Sequence, residues 1–126
     1  SKIGQKAPLY CTAVGKAILA TRSLQEVEAY WENITPEKKT GKTITEFEEL
    51  LLELKEVREQ GYALDDEEFE YGIVCVGAVF SSYKEVAAGA ISISLSITEK
   101  PEIDFYVNKV VACSKRITQL LGGNWN

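Results

Sequence analysis

The chain has 126 residues, 45% apolar and 26% charged, which suits one folded domain with a real core spanning residues 1–126. Its 14 Lys and Arg are outnumbered by 19 Asp and Glu and form no basic stripe, so by itself it is a poor nucleic-acid binder. It contains no histidine, which excludes Ser-His and Cys-His nucleophilic catalysis, His-ligated zinc and imidazole acid–base chemistry within the chain.

Three cysteines, Cys11, Cys75 and Cys113, are an odd number without metal-type spacing, which argues for a reducing compartment and against a disulfide scaffold. No run of 18 apolar residues occurs, and Ser1-Lys2-Ile3-Gly4 leads straight into polar residues, unlike a secretory leader. The expectation is a cytoplasmic protein with no membrane contact, no metal and no cofactor.

Residues 12–20 predict a short helix with Thr12 as its N-cap. Ser23-Leu24-Gln25-Glu26 is a capping box opening a second helix to about Asn33. Pro36 to Thr43 is polar and predicts a loop, after which Thr45-Glu46-Phe47-Glu48 is read as another capping box. Phe47, Leu50, Leu51, Leu54, Val57 and Arg58 follow the helical period behind it, and Gly61 is its stop.

The period then changes. Tyr62-Ala63-Leu64-Asp65 predicts a short strand and Ile73 to Phe80 an apolar one. Val86 to Ile97 predicts a third, with Ile91, Ile93, Leu95 and Ile97 on one face and Ala90, Ser92, Ser94 and Ser96 on the other. A two-residue turn at Tyr83-Lys84 would place Cys75 opposite Ser92 and Ile73 opposite Ser94. Pro101 is expected to open a long helix whose buried stripe is Ile103, Val107, Val110, Val111, Ile117 and Leu121, ended by Gly122-Gly123. The pattern predicts an α+β domain, a twisted antiparallel sheet with helices packed on it. So thin a sheet, in a chain that opens without a start residue, predicts further strands upstream.

Few segments carry chemistry. Pro8 to Ala17 invites a phosphate-loop reading, which fails because Tyr10 and Ala17 stand where that motif needs Gly and Ser or Thr. Ala13, Val14 and Gly15 remain as the first turn of a helix, whose free N–H groups can hold an anion. The alternative is that Gly15 serves only close packing against a neighbouring strand. Asp65-Asp66-Glu67-Glu68 reads first as a solvated acidic turn, since adjacent carboxylates on a strand or turn point apart. Cys75, Gly77, Ser92 and Ser94 make a face of small residues, either the floor of a ligand pocket or a face turned to solvent. Cys75 lacks an activating base and is not read as a nucleophile; Cys11 and Cys113 are read as structural.

Three segments together resemble the effector domain of the IclR family. They are Gly4 to Ala20 (GQKAPLYCTAVGKAILA), Gly61 to Glu68 followed by Gly72-Ile73-Val74-Cys75-Val76, and Val86 to Ser94 (VAAGAISIS). They keep family order and spacing over essentially the whole chain, and together they are specific. The resemblance implies a transcription regulator, a repressor of a catabolic operon, built from an N-terminal winged helix-turn-helix and a C-terminal GAF-like or profilin-like effector domain. Such regulators are homodimers or tetramers that sense small carboxylates. Carried over by motif, the effector-binding residues are Ala13, Val14, Gly15, Asp65, Ile73, Cys75, Ser92 and Ser94, with no catalytic residue. DNA is reached only through a winged helix outside this chain. Where the family has a hairpin glycine this sequence has Glu85. Leu95-Ser96 replaces the family's Gly-Pro, which implies a longer last strand. Two other readings stay open: a free-standing GAF-like binding module not coupled to DNA, and an enzyme using Asp65 or Glu67 as general base on a bound acid.

Overall fold

The computed structural model describes residues 8–124. Gly4 to Ala7, the start of the first resembling segment, lie outside the described residues. Thr12 caps the first helix, α1 (Ala13–Leu19): its hydroxyl accepts the Gly15 N–H at 3.1 Å and donates to the Pro8 carbonyl at 2.8 Å. Ser23 and Glu26 form the reciprocal capping box that starts α2 (Leu24–Glu32).

The capping box read at Thr45 does not form. The third helix, α3 (Phe47–Gln60), starts one residue later than that box requires, with Glu46 as N-cap and no side-chain cap bond. It ends where Gly61 turns left-handed, φ 87°, and sends its N–H to the Val57 carbonyl. Leu50, Leu54 and Val57 bury one stripe of α3 against Ala17 and Leu19 of α1, Ala20 at its C-cap and Val27 of α2.

Three antiparallel strands follow in the order β1 (Ala63–Asp66), β2 (Ile73–Phe80) and β3 (Gly89–Ser96). The β2–β3 register differs by two from the expected one: Cys75 faces Ser94, Ile73 faces Ser96 and Gly77 faces Ser92. The cause is the connection, which is eight residues, 81–88, instead of two. The Ser82 N–H bonds the Glu85 carbonyl, the Ser82 hydroxyl accepts the Lys84 and Glu85 N–H groups, and Ala87 turns left-handed at φ 54°. Because side chains alternate with period two, a slip of two changes partners and leaves each residue on its face. β3 runs to Ser96, two residues beyond Ser94.

Pro101 does not begin the long helix. It sits in a 3-10 segment over Ile97–Glu102, and regular α-helical bonding starts with α4 (Ile103–Leu120). Val107 and Val110 pack on Val76 and Ala78 of β2, with Leu64, Ile91 and Ile93 around them. Leu121 is exposed instead of buried; Thr118 takes that end of the stripe, its hydroxyl accepting the Ser81 N–H at 3.0 Å. The sheet therefore has α4 on one face and α1, backed by α3, on the other.

Candidate functional site

The α1 face of the sheet carries the odd-numbered residues of β2. Asp65, Cys75 and Ser94 form one row across β1, β2 and β3, and Ala63, Gly77 and Ser92 form the next. A Cβ on Gly77 would lie 2.9–3.0 Å from backbone atoms of Ala13 and Val14, so the first turn of α1 rests directly on Gly77. The fold thus brings Ala13, Val14, Asp65, Cys75, Ser92 and Ser94 together, with Ile73 one position further along the same face of β2.

Coverage across this face is uneven. Asp65 and Ala63 are buried and Cys75 is half-buried, whereas Ser92 and Ser94 are exposed. The result is a shelf of small polar side chains open beside the start of α1. The Gly15 N–H is taken by the Thr12 cap, so Ala13 and Val14 provide the first-turn N–H groups beside the shelf. A side chain at Gly15 would collide with the backbone of Leu9, which gives that glycine a packing role as well. The cleft of about 610 Å³ between the C-terminal ends of α1 and α3 lies elsewhere, lined by Ala17, Val57, Tyr62 and Val79 among others and by none of the eight candidates.

The acidic segment is not a solvated turn. Asp65 is only 3% and Glu68 7% exposed. Glu67 turns left-handed at φ 56°, which folds the chain back so that the Asp65 Oδ1 accepts the Glu68 N–H at 2.8 Å and the Phe69 N–H at 3.3 Å. Burial raises the Asp65 carboxyl above its ordinary value, opposed by those two N–H donors and by the charge of Lys16. The 36–43 loop buttresses the turn: the Thr40 and Thr43 hydroxyls donate to the Glu67 and Glu68 carbonyls.

Sequence reasoning missed what holds Glu68. Lys16, fully buried, places its Nζ 2.7 and 2.9 Å from the two Glu68 oxygens and 2.6 Å from Glu53 Oε2 on α3. The one available clue is periodic: Lys16 falls in the stripe Ala13, Lys16, Ala17, Ala20, whose other members are apolar and buried. Nothing local marks Glu53 or Glu68.

The thiols divide by position. Cys11 is buried, and burial, with repulsion from Asp65, pushes its thiol up to about 11. Cys75 is also raised by burial, opposed by its contact with Ser94. Cys113 is exposed on α4, so it has no structural role in the core. Among the described residues no group of three His, Cys, Asp or Glu is arranged to hold a metal ion, and no helix is long and apolar enough to cross a membrane.

A three-stranded antiparallel sheet between one long helix and a short capped one, with a polar shelf beside the short one, defines an α+β domain. Residues 1–119 match the family model described as bacterial transcriptional regulator IclR C-terminal. The regulator KdgR of Escherichia coli K12 is 38% identical over 124 residues, covering 97% of this chain and 47% of that protein. The transcriptional repressor IclR of the same strain is 32% identical, covering 96% and 45%. Among solved structures, the C-terminal domain of E. coli KdgR superposes with a TM-score of 0.86 at 35% identity, covering 94% of this chain and 74% of that one. The Thermotoga maritima IclR superposes with a TM-score of 0.87 at 35% identity, covering 97% and 50%. The chain belongs to the IclR C-terminal family. The two relatives above are named as a transcriptional regulator and a transcriptional repressor. The chain spans less than half the length of either of them.

Proposed function

We propose that this chain is the effector-binding and oligomerisation domain of a cytoplasmic IclR-type repressor of catabolic genes, sensing a small carboxylate such as a 2-oxo or sugar acid. The observation that carries this is the row Asp65–Cys75–Ser94, with the first turn of α1 seated on the adjoining row at Gly77. The shelf offers two kinds of polar group side by side. Donors for an anion come from the N–H groups of Ala13 and Val14 and from the Ser92 and Ser94 hydroxyls. The acceptor is Asp65: its Oδ1 is engaged by the turn, and among the described residues no hydrogen bond reaches Oδ2. Cys75 and Ile73 supply the apolar part of the floor. Gly15 lets the Leu9 backbone lie against α1, and Gly77 lets Ala13 and Val14 rest on the sheet.

An acid whose carboxylate meets the α1 turn would be repelled by Asp65 unless it also donates a hydrogen bond to it. The fitting ligand therefore carries a hydroxyl or hydrated carbonyl beside its carboxylate, making a charge-assisted bond to Asp65. Asp65→Asn should cost a hydroxy acid such as gluconate about 1.5–3 kcal/mol, roughly ten- to a hundred-fold in affinity. A plain carboxylate such as butyrate should bind the variant unchanged or more tightly. Calorimetry showing both acids weakened alike would make Asp65 structural and sink this reading.

DNA recognition is assigned to a winged helix in a segment outside this chain, and the regulator is assigned a homodimeric or tetrameric state. The negative net charge supports the first assignment. The long β3 at the margin of the described sheet supports the second. Sequence-dependent gel shift by this chain alone at sub-micromolar concentration would refute the first. A monomer by light scattering at high micromolar concentration would refute the second.

A further inference from the structure

Glu68 lies outside the row of site residues, yet its two ends are tied to different partners. Its backbone N–H donates to Asp65 Oδ1 at 2.8 Å. Its carboxylate accepts Lys16 Nζ at both oxygens and the Asp66 N–H at Oε2, 3.2 Å. Its carbonyl accepts the Thr43 hydroxyl at 2.6 Å. The residue before it, Glu67, is a non-glycine in the left-handed region, a conformation that persists only when its surroundings enforce it. Lys16 is in turn fixed by Glu53, so the anchor reaches α3 and does not depend on the turn itself.

We infer that Glu68, anchored on Lys16, is the positioning residue that holds the Asp65 carboxylate in its ligand-accepting orientation. This rests on the reading of Asp65 as the acceptor for a ligand hydroxyl. Two N–H groups, of Glu68 and Phe69, fix the Asp65 carboxylate, and both belong to the turn that the Glu68 side chain closes. Removing that side chain cuts the tie from the turn to Lys16 and leaves the Thr40 and Thr43 hydroxyls on the Glu67 and Glu68 carbonyls, so the turn loosens without unfolding, its two donors weaken and the Asp65 carboxylate gains freedom to rotate. Lys16 keeps Glu53 as its partner in that variant, so the buried ammonium is not left alone.

Two measurements test this. In E68A, hydrogen exchange at the Glu68-position and Phe69 amides should speed up at least tenfold while α3 amides stay as they are; unchanged exchange at both amides overturns the inference without any ligand. By calorimetry, E68A should lower the preference for gluconate over butyrate at least tenfold, while E68Q, which keeps the side chain's size and an acceptor for Lys16, should stay within about threefold of the parent. In a D65N background E68A should move that preference less than twofold, because Glu68 acts through Asp65. Gluconate and butyrate weakened alike in E68A, or a further loss of preference in the D65N background, overturns the inference. A preference that D65N leaves intact removes the acceptor role of Asp65 and this inference with it. A preference lost in D65N and kept in E68A removes the role of Glu68 alone.

Discussion

The Cys75 thiol lies 3.2 Å from the Ser94 hydroxyl, at facing positions of β2 and β3 on the side covered by α1. Its burial makes the thiolate scarce at neutral pH, while Cys11 is both fully buried and raised further. Cys113 stands exposed on α4. Since alkylation needs an accessible thiolate, iodoacetamide should label Cys113 first, Cys75 more slowly and Cys11 last in the folded protein. Saturating gluconate should slow labelling of Cys75 and leave Cys113 untouched. Peptide mass spectrometry that finds Cys75 ahead of Cys113 would show that the shelf is organised differently.

At Gly77 the backbone of α1 rests directly on β2. Alanine in a strand ordinarily gains over glycine through the unfolded chain. Here its Cβ would press on the Ala13 carbonyl carbon and oxygen and the Val14 nitrogen at 2.9–3.0 Å, backbone atoms that cannot turn aside. Overpacking wins, and Gly77→Ala should destabilise by about 1–3 kcal/mol in a denaturant titration. Binding of small acids should weaken along with stability, because Ala13 and Val14 are the atoms displaced. A variant as stable as the parent would mean that α1 tolerates a shift off the sheet.

The serine alternation of β3 was legible because the side-chain period of a strand is written directly in sequence: Ser92 and Ser94 face one way, Ile91, Ile93 and Leu95 the other. The register was not, because it depends on how many residues the connection consumes, and the Ser81 and Ser82 hydrogen bonds that lengthen it form only in the folded loop. The convergence of Asp65 with Ala13 and Val14 came from resemblance, since no local pattern relates residues 52 positions apart. Lys16 and Glu68 escaped for the same reason. A lysine stem buries like an aliphatic side chain, and its two carboxylate partners come from α3 and the turn, each far away in sequence.

The fully buried Lys16 ammonium is shared by two carboxylates, those of Glu53 and Glu68. Lys16→Met keeps the length of the stem and leaves Glu68 buried without its cation. Breaking a buried pair in this way should cost about 3–5 kcal/mol in urea or guanidinium unfolding. Glu53→Gln removes only the partly exposed partner and preserves a hydrogen-bond acceptor, so it should cost no more than about 1 kcal/mol. Equal losses in the two variants would show that Glu53 carries the cluster and Glu68 does not.

Glu68 also gives the fold a pH dependence of definite sign. Burial raises its carboxyl above the ordinary value of 4.5, against the opposing pull of Lys16 and of the Asp66 N–H. A carboxyl whose folded-state value is raised binds its proton more tightly in the folded chain than in the unfolded one. Folding then takes up protons, and the stability linked to this group is fully present below 4.5 and lost as pH rises through the raised value. Asp65, raised by its own burial, acts in the same direction. Asp66, lowered by Lys100 and Lys42 against the cost of burial, acts in the opposite one. Comparing the parent with Glu68→Gln cancels the groups that do not touch Glu68, so the difference reports Glu68 together with its coupling to Lys16 and Glu53. As pH is lowered from 7 toward 5, the parent should gain stability relative to Glu68→Gln, read as a widening difference in denaturation midpoint. A difference that narrows on acidification would mean that the pairing with Lys16 outweighs burial and holds Glu68 below its ordinary value.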